Sequence, residues 1–315
     1  PRPGGPAPAR RAMDRAPATP VLVAGALGGP FVIFLCTPLR NALTLGAQDR
    51  RSGIRLLLGK AFRGGPAAGW TGGRAPAVVA CPQFLALGPI YHALHSAFRG
   101  ALGVRDGGHA LLPSAGAAVG AGLVETLLTF GSQSRNAQMA YNNSMVAFSS
   151  IQDGARIRVP LNKTYQVWGS GAGAMLSRNM LSAASVRTLS PWVQERVSLP
   201  GAGKAAQAVL CDVGCSVCVC TLTAPLNQLF NYMATTPQAK TAPSAERWSM
   251  AWQFVQKQYF VPLPRSREDP SEPRRYSWRV SGIAARDFAM RTMYVTTVFT
   301  LYMSIERTLC AAMAR

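Results

Sequence analysis

The sequence predicts an all-α membrane protein, with six tilted transmembrane helices in three pseudo-symmetric repeats and short surface helices in the connections. Three observations carry that expectation. Charged residues make up only 15% of the chain while apolar ones make up 48%, well below the roughly 25% charge of soluble domains. The runs Ala16–Leu39, Ala75–Tyr91 and Val213–Ala239 carry no charge at all, and each approaches or exceeds the roughly 20 residues that a spanning helix needs. The third observation is recurrence. Thr37-Pro38-Leu39-Arg40-Asn41 closes one apolar run, Ala224-Pro225-Leu226-Asn227 closes another, and Glu125 to Gly131 forms a weaker copy between them. The copies stand roughly 95 residues apart, and a fixed period of this kind marks a repeat architecture.

The remaining spans carry Glu125, Arg178, Arg187, Arg286 and Arg291, so hydropathy alone undercounts them. The 315 residues have a formal charge of +20. Nucleic-acid binding would require a basic patch with aromatic platforms, whereas here Lys and Arg are scattered over loops. The partner this pattern fits is an anionic bilayer surface, not nucleic acid. Of the seven cysteines, Cys211, Cys215 and Cys218 share a helical face and Cys220 lies close by. No His is near and the spacing matches no common finger, so they read as small, polarizable packing residues and no metal site is expected.

Taken in order, residues 1–17 are rich in Pro, Gly and Arg and read as an irregular tail without the apolar core of a secretory signal. Repeat 1 covers 18–104. Its first helix, at about 19–48, has Gly25 and Gly29 spaced for close packing and a kink at Pro38. A surface helix at 52–63 places Ile54, Leu57, Leu58 and Ala61 on one side, and a second span covers about 74–99. Repeat 2, at 105–200, holds helices at about 111–141 and 172–197 joined by a variable segment. Repeat 3, at 201–315, holds helices at about 203–236 and 280–313, a surface helix at about 244–259, and a charged insertion at 264–277 with seven charged residues.

This layout resembles the mitochondrial carrier family. Gly65-Pro66, Trp70, Gly72, Pro82 and Tyr91 fall at the family's spacing, and Pro38, Gly131 and Pro225 occupy its three signature proline positions, the middle one substituted. The resemblance covers about 18–312. It implies an inner-membrane, multi-pass location, surface helices on the matrix side, and a gate. In that gate an acid two residues after each proline pairs with a base from the next repeat, closing a cavity when the ends converge. Pairs of this kind must be individually modest so that substrate binding can open them.

The chain departs from the family where this mechanism needs charge. Arg40, Gln133 and Asn227 occupy the acid positions, Leu43, Asn136 and Phe230 the base positions, and Leu45, Gln138 and Tyr232 the second base positions. No opposite-charge pair can form among them. The family's second network, near the ends of the even helices, is also degraded. Tyr91-His92-Ala93-Leu94-His95 lacks the acid, Ser190-Pro191 lacks both charges, and Met303 follows Tyr302. The family's substrate contacts map to Val79, to Arg178 and Asn179, and to Ala289 or Arg291. An intramembrane arginine is costly and marks function by default.

The resemblance also implies bound cardiolipin, with phosphates on the helix N-termini at Ser52-Gly53, at Trp70 and Gly72, and at Gly169 and Gly171, where free backbone N–H groups and the helix dipole attract an anion. Gly201-Ala202-Gly203-Lys204 lacks the spacing of a phosphate loop. Trp248, Trp252, Phe254, Tyr259 and Phe260 read as interface anchors. No nucleophile, base and orienting group cluster to suggest an enzyme. The function expected is that of a transport-silent carrier relative, an accessory subunit of a respiratory-chain or ATP-synthase assembly that meets other subunits through its tail and the 264–277 insertion. The competing expectation is an active anion carrier using Arg178 with Arg291 or Arg286.

Overall fold

A computed structural model describes residues 22–103, 111–148, 158–197, 203–263 and 276–313. The N-terminal tail and residues 264–275 of the charged insertion lie outside the described residues. The chain is mostly helical. After a π-helical turn, Ala24–Gly28, come α1 (Gly29–Leu35) and α2 (Thr37–Gln48), then the surface helix α3 (Ile54–Ala61). The long helices α4 (Arg74–Ala101) and α5 (Leu111–Phe148) follow. Next are α6 (Ala172–Ala184), a π-helical turn at Ser185–Leu189, and α7 (Ser190–Arg196). The last elements are α8 (Lys204–Thr235), α9 (Ser244–Tyr259) and α10 (Gly282–Met313).

Among the described residues, three helical stretches, Pro66–Ala101, Leu111–Ser144 and Ala206–Thr235, are long and apolar enough to cross a membrane. A fourth is formed if α1 and α2, bent by 51° at their junction, count as one span. The bend has a local cause. Pro38 lies in the first turn of α2, where it lacks the N–H that would continue the ladder from α1. By contrast, α8 runs through Pro225 as one unbroken helix, so the shared proline does not produce the same break twice. The helices containing Arg178 and Arg291 do not qualify as spans on composition, because each carries charge into its apolar stretch.

Two boundaries differ from the sequence expectation. α5 extends to Phe148, so part of the variable segment is helix. Its extension is held by Asn142, whose side chain both donates to the Val159 carbonyl and accepts from the Val159 amide, each at 2.9 Å. The charged insertion does not end as loop. Tyr276 and Ser277 begin strand β2 (Tyr276–Val280), which pairs antiparallel with β1 (Phe260–Pro262) in a two-stranded sheet.

The apolar core is divided. One cluster joins Val32, Leu43, Leu45 and Leu57 to Cys220, Met290 and Val295, tying α1, α2 and α3 to α8 and α10. A second gathers Phe130, Met175 and Phe230 from α5, α6 and α8. A third packs Tyr91 of α4 on Ala117, Ala118 and Ala121 of α5. Small residues bring these helices close together. A Cβ at Gly122 would lie 2.7 Å from the Met180 backbone nitrogen, and one at Gly29 would lie 2.4 Å from the Phe84 ring. Between the apolar clusters runs a buried layer of amides, hydroxyls and guanidiniums.

Candidate functional site

The buried polar layer is built from residues on six helices. Arg178 of α6 is 6% exposed and is its centre. Its Nη1 donates to Asn227 Oδ1 at 2.9 Å, its Nη2 to Gln133 Oε1 at 3.0 Å, and both Nη2 and Nε to Asn179 Oδ1 at 2.9 and 3.1 Å. Its guanidinium also lies over the Phe230 ring, 5.6 Å from the centroid. Asn179 in turn donates to Thr126 Oγ1 at 3.1 Å. A solvent-free guanidinium costs several kcal/mol unless its donors are met, and here amide oxygens from α5, α6 and α8 meet them.

This geometry joins two sets of residues that the sequence suggested as separate. Gln133 and Asn227 are the amides at acid positions of the supposed gate, and Arg178 and Asn179 are the supposed substrate contact. They form one hydrogen-bonded unit. Arg291 of α10 belongs to the same layer, with Nη1 donating to Asn227 Oδ1 at 3.4 Å and the guanidinium 5.7 Å from the Tyr294 centroid. Val79, the apolar contact position, is half-buried on α4.

Arg291 and Arg40 are less well served than Arg178. Arg291 Nε and Arg40 Nη1 are buried with no hydrogen-bond partner among the described residues. Glu125 of α5 accepts from Gln83 Nε2 at 2.9 Å, and its charge bears on both Arg178 and Arg291. Arg178 and Arg291 therefore share the Glu125 carboxylate.

A second tier lies beyond it. Asn136 Nδ2 donates to Asn41 Oδ1 at 3.0 Å, and Asn41 Nδ2 donates to the Gly69 and Thr71 carbonyls at 2.9 and 3.1 Å. Gln138 Nε2 reaches the Ala234 carbonyl at 3.0 Å while its Oε1 accepts the Asn162 amide at 2.7 Å. At the other base positions Leu43, Leu45 and Phe230 are buried and apolar, and Tyr232 is half-buried and stacked on Phe254. Asn41 was not singled out from the sequence. The signal available was its place next to Arg40 in a recurring motif, but a lone Asn in a helix has many bland explanations.

Gly131 stands at the substituted proline position for a steric reason. A Cβ there would lie 2.5 Å from the Thr164 carbonyl oxygen and 2.6 Å from that of Lys163. The segment around Thr164 therefore lies directly on α5, and a proline ring would not fit.

The residues expected to bind lipid are used otherwise in part. Ser52 is buried and its hydroxyl hydrogen-bonds with Asp49 and Lys60. Gly53 precedes α3 with open space around it. Trp70 packs edge-on against Phe62, and its indole N–H is buried without a partner. Gly72 and Gly171 share a left-handed conformation, with φ of 77° and 87°. A Cβ at Gly72 would lie 3.2 Å from the Asn136 Cα and the Met139 Cβ, and one at Gly171 would meet the Phe230 and Met233 backbone and side chain at 3.1 to 3.4 Å. Gly169 lies against Phe130 and Gln166.

A separate tie closes the end of the bundle where α2 meets α10. Arg286 donates to the carbonyls of Gly46, Asp49 and Ser52 at 2.8, 2.7 and 2.9 Å and forms an ion pair with Asp287 at 2.7 Å. Asp287 also accepts from Gln258 and Tyr259 at 3.0 and 3.1 Å. Burial beside this carboxylate holds the Tyr259 phenol well above its ordinary pKa. Nearby, burial would raise the Asp49 carboxyl, but hydrogen bonds from Lys60, Ser52 and Arg51 outweigh it and hold the pKa at about 2. A crevice of about 40 Å³ between α8 and α10, lined by Asp212, Ser216, Thr296 and Thr300, lies away from the arginines.

Fold and site together define a helical membrane protein with an arginine-centred polar interior. The chain matches no family model and no curated protein sequence.

Proposed function

We propose that the chain is a divergent protein of the mitochondrial carrier type. In this reading it has six spans in three repeats, lies in the mitochondrial inner membrane, transports no solute, and serves as an accessory subunit of a respiratory-chain or ATP-synthase assembly. The observation that carries the transport-silent reading is the contact of Gln133 and Asn227 with Arg178, at 3.0 and 2.9 Å. Acids would stand at these two positions in a cycling carrier, where a substrate could compete for their partners. Here the gate positions have consumed the guanidinium that would receive an anion. The tie is an amide–arginine network spanning three helices, with no opposite charge to exchange.

The repeat reading is supported by register. Gly72 packs on residues 136 and 139, and Gly171 packs on 230 and 233, each pair displaced by the same step along the chain. A left-handed glycine before a span thus meets the next odd helix at matching positions twice. Cardiolipin remains the lipid this reading implies, at the open approach to Gly53 and at the turns of Trp70–Gly72 and Gly169–Gly171. Partner subunits would meet the 1–17 tail and the 264–277 insertion.

The test has two arms. Purified protein in liposomes should exchange no nucleotide, phosphate or carboxylate, and robust counter-exchange abolished by Arg178→Ala would overturn the silent reading. Native electrophoresis of mild-detergent extracts should place the chain in a large assembly, and migration only as a monomer would count against the subunit role. A second reading, an active anion carrier using Arg178 and Arg291, is favoured by the unpartnered Arg291 Nε and Arg40 Nη1.

A further inference from the structure

The bundle end where α8 stops carries a concentration of exposed aromatic rings. Contacts with the last turn of α8 fix that level. Phe254 of α9 stacks on Tyr232 with centroids 4.4 Å apart, and the Ser170 hydroxyl donates to the Met233 carbonyl at 3.1 Å. Tyr232 and Met233 close the stretch Ala206–Thr235, which is long and apolar enough to cross a membrane. The segment ending at Ser170, helix α9 and the β1–β2 sheet that follows α9 therefore lie near where a spanning helix leaves the bilayer.

The rings at this level are not covered by the rest of the described chain. Tyr165 is 75% exposed, Trp248 77% and Trp278 86%, and Trp168 and Trp252 are exposed as well. Phe254 and Tyr259, which the sequence suggested as interface anchors, are buried. Trp278 was absent from that set and is the most exposed large apolar residue among those described. Trp278 and Val280 stand two apart on β2 and so share a face, and Phe260 of β1 meets Trp278 only edge-on, at 5.6 Å. A two-stranded sheet on its own is marginal in water. Its base is nonetheless fixed. The Ser281 amide donates to the Tyr259 carbonyl at 2.9 Å and the Ser281 hydroxyl to the Gln258 carbonyl at 2.7 Å, and both of those residues reach Asp287.

Charge selects what covers these rings. Over residues 158–170, 236–263 and 276–280 the cations are Arg158, Lys163, Lys240, Arg247, Lys257 and Arg279, and the one acid is Glu246. Lys240 is spent on the Pro160 carbonyl and Asn162, whereas Arg158, Lys163, Lys257 and Arg279 are exposed. Exposed Trp and Tyr with basic neighbours match the headgroup layer of an anionic bilayer. There the ring body meets acyl chains, the N–H or O–H meets water, and the cations meet lipid phosphates.

We propose that the β1–β2 sheet is a lipid-anchored arm, with Trp278 and Val280 seated in the headgroup layer of an anionic bilayer at the level shared by Tyr165, Trp168, Trp248 and Trp252. The arm pins the bilayer surface to the end of α8. Side-chain rings make this contact, which separates it from phosphates held on the glycine turns by backbone N–H groups. The inference rests on the membrane-crossing length of α8 and goes beyond the transport-silent reading, on which it does not depend.

The experiment uses the full chain reconstituted into phosphatidylcholine vesicles containing phosphatidylglycerol. The Trp278 signal is the fluorescence of the unmodified chain less that of Trp278→Phe, with Trp278→Tyr as the second variant should the first fail to fold. Lipid brominated near the headgroup should quench this signal about twofold more strongly than acrylamide in the water. Stronger quenching by acrylamide would place the arm in water and overturn the proposal. Quenching by neither would mean a protein cover, from a second copy or another chain, and would also overturn it. In phosphatidylcholine alone, acrylamide quenching of Trp278 should rise about twofold, and an unchanged value would overturn the anionic part of the assignment. Arg279→Gln in the anionic vesicles should reproduce part of that rise. Solute exchange is measured separately in the same vesicles, so failure of this proposal and failure of the transport-silent reading are told apart.

Discussion

Two arginines hold this protein together in different ways. Arg286 sits at the end of the bundle beside its own acid, Asp287, and donates to three backbone carbonyls. Its charge and its donors are both answered. Arg178 sits in the centre, has its donors answered by four bonds to amide oxygens, and shares a single carboxylate with Arg291. Each of its nitrogens is bonded, but its charge is only shared. The contrast separates two requirements that are often treated as one. Hydrogen bonds fix geometry, whereas only opposite charge lowers the cost of a buried ion. The end of the bundle behaves as a finished clasp and the centre as a layer in which two guanidiniums share one carboxylate.

The largest effect should come from the clasp. Arg286→Met removes the partner of a buried carboxylate and frees three carbonyls, and should destabilise the protein by about 3 to 5 kcal/mol, read as a lower midpoint in thermal scans at fixed rate. A loss under about 1 kcal/mol would mean that Gln258 and Tyr259 alone support Asp287, and the clasp would lose its place in the comparison.

Arg178→Met should cost less, about 2 kcal/mol, because unpaired Gln133 and Asn227 are partly offset by relief of repulsion with Arg291. If it costs as much as the clasp variant, the centre is compensated better than its single carboxylate suggests. Acid titration should give an effect of about 1 to 2 kcal/mol from Asp49. Its folded pKa of about 2 lies below the ordinary value, so its stabilisation is present above about pH 4 and fades as pH falls toward 2. Lys60→Met should flatten that acid limb, since it removes the principal partner.

The smallest effect should come from Arg40, which is only partly buried. Arg40→Leu should change stability by no more than about 1 kcal/mol in the same thermal scans. A larger loss would show that Arg40 is held by the interior as Arg178 is. The three arginine variants together therefore order the two regions by size.

Much of the local architecture was legible in the sequence. The uncharged runs around Val32, Val79 and Thr223 marked helices, because a backbone in apolar surroundings must satisfy itself. Pro38 marked a bend, because proline lacks the donor the ladder needs. The surface helix α9 was expected at about 244–259 and spans Ser244–Tyr259. The joining of Gln133, Asn227 and Arg178 was not readable. Each is a plausible polar residue on a long helix, and only the relative rotation of α5, α6 and α8 turns them toward one point. Gly131 read as a missing proline, while the structure makes it a clearance for the Thr164 and Lys163 carbonyls.

By itself the sequence determined that this chain folds as helices in an apolar environment and that opposite charges are absent from the positions where a carrier gate would need them. Those are properties of composition and period, which act locally. Tertiary structure alone decided which polar groups find one another, and that Arg286 has every guanidinium nitrogen bonded while Arg291 Nε and Arg40 Nη1 have no hydrogen-bond partner among the described residues. Hydrogen bonds and charge pairs depend on distances of a few ångströms between residues far apart in the chain, and those distances exist only once the helices have packed.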